Sequence, residues 1–188
     1  MYKELIKLIA LFISKPSKGW EYILTKNTAD EHALNAFAYP LMGLGALTAF
    51  IFALLNHPDG TGFQFALKEA SFLFISSFVG LYTASFLIGV YYEKVCGEKL
   101  PFGTTMKFVI FSSTVLFIIN FFSHVTDSIF FLQIFSLYTI YIVWEGSLYF
   151  LKIDEKKRAG FALFSSFSII LSPLLMGALI KYLMPGLQ

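Results

Sequence analysis

This sequence predicts an all-α, polytopic membrane fold of five transmembrane helices preceded by an interfacial amphipathic helix. Five long apolar stretches are separated by short charged loops. The composition is 57% hydrophobic, 19% aromatic and 14% charged, with mean hydropathy +0.71. That leaves too little polar surface for a water-soluble domain of 188 residues. The cations also gather on alternate loops, which is how membrane proteins encode orientation.

The opening stretch is amphipathic. Lys3, Lys7, Ala10 and Ser14 recur at helical spacing, while Leu5, Ile6, Leu8, Ile9, Phe12 and Ile13 fill the other face. Lys15-Pro16-Ser17-Lys18-Gly19 ends that helix, and Trp20 and Tyr22 follow with rings suited to headgroup depth. The apolar run from Leu8 to Ile13 is short and no small-residue cleavage site follows, so an anchor is expected rather than a signal peptide. Residues 1–32 read as a cytoplasmic, interfacial segment, and residues 33–188 as the five-helix transmembrane domain.

The expected spans run over 33–55, 65–92, 104–122, 129–151 and 159–183. Each approaches or exceeds the ~20 residues that cross a hydrocarbon core of ~30 Å. Only a helix satisfies its own backbone polar groups in lipid over such lengths. His57-Pro58-Asp59-Gly60-Thr61-Gly62 is a turn by composition. The short linker from Ser123 to Ser128 makes spans three and four an antiparallel hairpin. With the N-terminus cytoplasmic, that side carries twelve of the 14 basic residues, and the outer side only Lys68 and Lys181. Five spans then put the C-terminus outside, and the expected location is a bacterial inner membrane.

Several chemistries lack the residues they need. Cys96 is the single cysteine, so neither an intrachain disulfide nor a cysteine-rich metal site can form. Arg158 is the one arginine, which disfavours a site built on bidentate anion capture. No basic face interleaved with aromatics suggests nucleic acid, and no metalloprotease, nucleophile-elbow or phosphate-loop motif is present. No cofactor is expected. His57 with Asp59, or His124 with Asp127, would make at most a weak external site.

With Lys15-Pro16-Ser17-Lys18-Gly19-Trp20 ahead of the spans, Ala38-Tyr39-Pro40 in the first, and Leu137-Tyr138-Thr139-Ile140-Tyr141-Ile142-Val143-Trp144-Glu145-Gly146 in the fourth, the chain resembles the Yip-domain (Ypt-interacting-protein type) family in its short, Bacteroidota-like form. The resemblance covers nearly the whole chain and implies five membrane helices with a cytoplasmic N-terminus. In eukaryotic relatives it implies a trafficking role beside Rab-type GTPases. Those members carry a longer soluble N-terminal region and an Asp-Leu-Tyr-Gly-Pro motif. This chain has a lead of about 30 residues and only Ala38-Tyr39-Pro40, so the fold is implied and the trafficking role is not.

Glu145 is the leading polar candidate, because a carboxylate within a span costs a few kcal/mol unless it faces the bundle interior or water. Lys107 or Lys152 is its expected partner, and Gly146 beside it admits a close neighbour. Asn120 and Gln133 are expected to hydrogen-bond across the third and fourth spans. Pro40 and Pro173 are expected helix kinks. Gly80, Ala84, Ser85 and Gly89 give the second span small residues for close packing. Lys3, Lys7, Trp20, Lys156, Lys157 and Arg158 form a candidate lipid- or partner-docking face. The expected function is a non-enzymatic membrane scaffold or adaptor that contacts lipids, with a protein partner or homo-oligomer. The alternative is a small transporter or channel around Glu145.

Overall fold

The computed structural model describes residues 2–26, 30–56, 62–123 and 129–183, and every element among them is helical. Helices α1 (Tyr2–Ser14) and α2 (Pro16–Lys26) come first. Next, α3 (Asp30–Ala33) passes through a π-helical turn (Leu34–Ala38) into α4 (Tyr39–Asn56). There follow α5 (Gly62–Cys96), α6 (Phe102–Ser112), α7 (Thr114–Phe122) and α8 (Ile129–Ile134). A 3-10 turn (Phe135–Leu137) leads into α9 (Tyr138–Tyr149), and α10 (Glu155–Leu183) closes the chain.

Among the described residues, three segments are long and apolar enough to cross a membrane: Leu34–Asn56, Gly62–Cys96 and Glu155–Leu183. The bent pair Phe102–Ser112 and Thr114–Phe122 makes a fourth if it counts as one span. Its 45° bend has a local cause. The Ser113 hydroxyl donates to the Val109 carbonyl at 2.8 Å and the Thr114 hydroxyl to that of Phe111 at 2.6 Å, loosening the ladder where the two helices meet. The expected fourth span is interrupted as well. Around the 3-10 turn at Phe135–Leu137, the Ser136 hydroxyl donates to the Gln133 carbonyl at 2.6 Å.

Side-chain contacts fix the helix directions. Tyr39 meets Phe78, and Phe50 meets Phe63, so α5 runs back along α4. The Ser85 hydroxyl reaches the Met106 sulfur at 3.3 Å, and Gly89 lies over Thr105, so α6 turns again. Phe37 against Phe111 and Gly45 against Asn120 make α4 and the α6–α7 rod parallel. Phe108 lies over Gly146, and Val115 shares a cleft with Tyr138, so α9 descends. Tyr91 stacks on Phe164 at 4.0 Å and Gly80 meets Pro173, so α10 is antiparallel to α5.

The polarity is that of a lipid-embedded bundle. Ser76, Ser77, Ser85, Ser165, Ser166, Ser168 and Ser172 are buried between helices. Large apolar side chains such as Leu47, Phe86, Phe131, Phe167 and Leu174 point outward. Small and hydroxyl-bearing residues let helices approach where water supplies no driving force. A Cβ on Gly80 would stand 2.7 Å from the Pro173 backbone, so α5 and α10 cross there in direct contact.

Pro40 follows a π-helical turn, and Pro173 lies within the unbroken helix α10. Pro40 has no N–H for the carbonyl four residues back, and the π turn just before it widens the ladder, with the Tyr39 N–H reaching Leu34. Pro173 sits inside α10 with its ring against Gly80.

Candidate functional site

The N-terminal helices corrected one expectation. Pro16 ends α1 but is also the first residue of α2, a position where its missing N–H costs nothing. Trp20 is therefore helical and turned inward. Its ring is 0% exposed, so it cannot serve a headgroup or a docking partner. The indole N–H donates to the Ile142 carbonyl at 3.0 Å. The ring packs on Phe108 and Phe150 and meets the edge of Phe12, which itself stacks on Phe111. Gly146 gives the indole its room, because a Cβ there would stand 2.6 Å from the ring. Gly146 admits two neighbours, Trp20 of α2 and Phe108 of α6, whose ring edge would stand 2.8 Å from the same Cβ.

Glu145, Lys107, Asn120 and Gln133 of the expected polar site fall on α9, α6, α7 and α8 respectively. Lys26 pairs with Glu4 and Lys99 with Glu93. Glu145 is half-buried on the face of α9 that carries Tyr138 and Tyr141. Tyr138 donates its hydroxyl to the Ile13 carbonyl at 2.7 Å, tying α9 to the end of α1. Asn120 packs over Gly45 of α4, and Gln133 is exposed on α8. Lys107 and Asn120 stand roughly 20 Å apart along their rod at 1.5 Å per residue, too far to share one ligand.

The basic face divides. Lys3, Lys156 and Lys157 are exposed. Lys7 is exposed but lies over the Tyr22 ring at 4.4 Å. Arg158 is folded back, donating to the Ile153 carbonyl at 3.3 Å with its guanidinium 5.9 Å from the Trp144 ring. Glu4 and Lys26 join α1 to α2, and the ammonium beside it holds the Glu4 carboxyl below its ordinary range. His57, His124 and their aspartate neighbours lie outside the described residues. Among the described residues, no group of three His, Cys, Asp or Glu stands ready for a metal.

Sequence reasoning passed over the end of α5. Gly97, at φ +80°, donates its N–H to the Glu93 carbonyl at 2.9 Å and turns the chain back. Lys99 then lies 3.6 Å from Glu93, at the mouth of a groove of about 190 Å³ between α5 and α6. The signal was present as Glu93-Lys94 and Glu98-Lys99 flanking a glycine, but only the left-handed turn brings Lys99 back to Glu93.

Outward apolar faces, inward serines and long apolar helices define a polytopic α-helical membrane protein. The Yip1 domain model matches residues 9–184, nearly the whole chain, and the chain belongs to that family. The match takes in Trp20, Gly146 and every transmembrane segment expected from the sequence. No curated protein and no solved structure matches the chain.

Proposed function

We propose that this Yip1-domain protein is a non-enzymatic membrane scaffold or adaptor whose basic end gathers lipid or protein partners. The observation that carries the reading is the coincidence of helix direction with charge. The end of α5, the start of α6, the end of α9 and the start of α10 meet at one pole of the bundle. Lys152, Lys156 and Lys157 belong to that pole and are exposed, whereas Lys94 and Lys99 there are balanced by Glu93 and Glu98. Such a cluster attracts anionic surfaces by about 1 kcal/mol per residue close to a leaflet.

The reading takes five passes through a bacterial inner membrane, with the N-terminus cytoplasmic and the C-terminus outside. The alternating helix directions support this, the bent α6–α7 pair serving as the third pass and α8 with α9 as the fourth. In this reading α1 and α2 enter the membrane beside the bundle, the end of α1 reaching Val115 and Tyr138. Leu8 and Phe12 face the bundle while Tyr2, Ile6 and Ile13 are exposed, so α1 has apolar surface for both protein and lipid.

Topology is tested in a C96S background with single cysteines replacing Lys3, Lys156 or Lys181, labelled by a membrane-impermeant maleimide on sealed vesicles. Lys3 and Lys156 positions should react from one side and Lys181 from the other. Lys156 and Lys181 reacting from the same side would overturn the five-pass reading. The scaffold role is tested by K156E/K157E, which should abolish co-purification of a stoichiometric companion from native membranes. Unchanged recovery would remove the docking face.

A further inference from the structure

We propose that the groove between α5 and α6 binds a phospholipid whose zwitterionic headgroup carries a primary ammonium, of the phosphatidylethanolamine class. Phe86 and Val90 of α5 form one wall, Leu100 and Phe102 the other, and Phe86 and Val90 are 63% and 54% exposed. The apolar part therefore opens sideways, where acyl chains lie. Its depth comes from Gly89, where the missing side chain exposes the contact with Thr105. Glu93 and Lys99 stand at the mouth, both exposed to an approaching headgroup.

Length puts that mouth at the right depth. Helix α5 has 35 residues, roughly 50 Å at 1.5 Å per residue, well beyond a ~30 Å hydrocarbon core. The helix therefore extends past the core, and in this proposal the charged Glu93-Lys94 turn is the end set in the headgroup layer, with Phe86 seven residues back on the acyl-chain side. This placement rests on membrane embedding and on the charge gathered at this helix end, and does not depend on the scaffold reading or on which face is cytoplasmic.

The charges select the headgroup. The Glu93 carboxylate accepts from an ammonium, and the Lys99 ammonium donates to a phosphate. An exposed ion pair contributes little to stability, so it opens readily to a ligand offering both partners. Glu93, Lys94, Glu98 and Lys99 sum to zero charge, which matches a neutral dipole and not an anionic lipid. A trimethylammonium head has no N–H to donate. The Ser85 and Thr105 hydroxyls are committed to the carbonyls of Leu81 and Phe102, leaving selection to Glu93 and Lys99.

The test is native mass spectrometry of the full chain released from micelles holding equimolar phosphatidylethanolamine, phosphatidylcholine and phosphatidylglycerol with identical acyl chains. The wild type should retain one phosphatidylethanolamine at least fivefold over either competitor. E93Q/K99Q should lose that preference with an unchanged circular dichroism spectrum, and E93K should turn it toward phosphatidylglycerol. V90W, which fills the groove, should lower retention of all three. Equal retention of the three lipids by the wild type, or a preference that survives both E93Q/K99Q and E93K, would overturn the proposal.

Discussion

At the residue scale, two positions carry testable consequences. Trp20 and Gly146 form a ring-and-floor pair, so G146A forces a methyl into the indole and into Phe108. Overpacking of this kind costs about 1–3 kcal/mol. G146A should lower the midpoint of thermal unfolding in detergent and red-shift tryptophan emission as Trp20 leaves its buried site. Emission that stays put would show that α9 moves instead of α2. Lys152 is the second position. It adopts φ +53° as helix α9 ends, and the Ile153 N–H returns to the Ser147 carbonyl at 2.9 Å. A left-handed conformation costs a side-chain-bearing residue about 1 kcal/mol, so K152G should stabilise the protein by a similar amount in the same measurement.

At the element scale, the α1–α2 pairing depends on pH through Glu4 and Lys26. The Glu4 carboxyl is held below its ordinary value, chiefly by the hydrogen bond from Lys26. Its contribution is therefore complete above the usual carboxylate range and disappears as pH falls through the lowered value. Lys26 is raised by the same bond, so its contribution persists until pH rises through its elevated value. Hydrogen exchange over Tyr2–Ser14 should accelerate in acid for the wild type, and E4Q should exchange fast already at neutral pH. A second element-scale expectation concerns the α6–α7 bend. S113A/T114A removes both hydroxyls that compete for backbone carbonyls, and should straighten the pair. Spin labels near Phe102 and Phe122 should then move apart.

For the whole molecule, Glu145 separates scaffold from conduit. E145Q keeps shape and removes charge, so a scaffold should keep its companions and its fold. Loss of an ion or pH-dependent flux in vesicles would instead revive transport around that carboxylate. Much of this scale was legible in advance. The spans at 33–55 and 159–183 match Leu34–Asn56 and Glu155–Leu183 closely, because an uninterrupted apolar run has one way to satisfy its backbone in lipid. The expected close packing at Gly80 also holds. The breaks at Ser113 and Phe135–Leu137 were not legible, because one hydroxyl among many spanning serines gives no sign that it will take a backbone carbonyl. The groove beside Glu93 was hidden for a similar reason, since its walls come from two helices joined by a left-handed glycine.

By itself the sequence determined the helical membrane class, the family and the asymmetric distribution of lysines, all of which depend on local composition summed along the chain. Only the tertiary structure decided what each singular residue does. Interfacial aromatics and core aromatics have the same side chain, and Trp20 became core because Gly146 leaves it a cavity and Ile142 an acceptor. Glu93 and Lys99 looked like ordinary loop charges until Gly97 folded one back on the other. Composition sets which solvent a helix prefers, whereas close contact between helices sets which side chains meet.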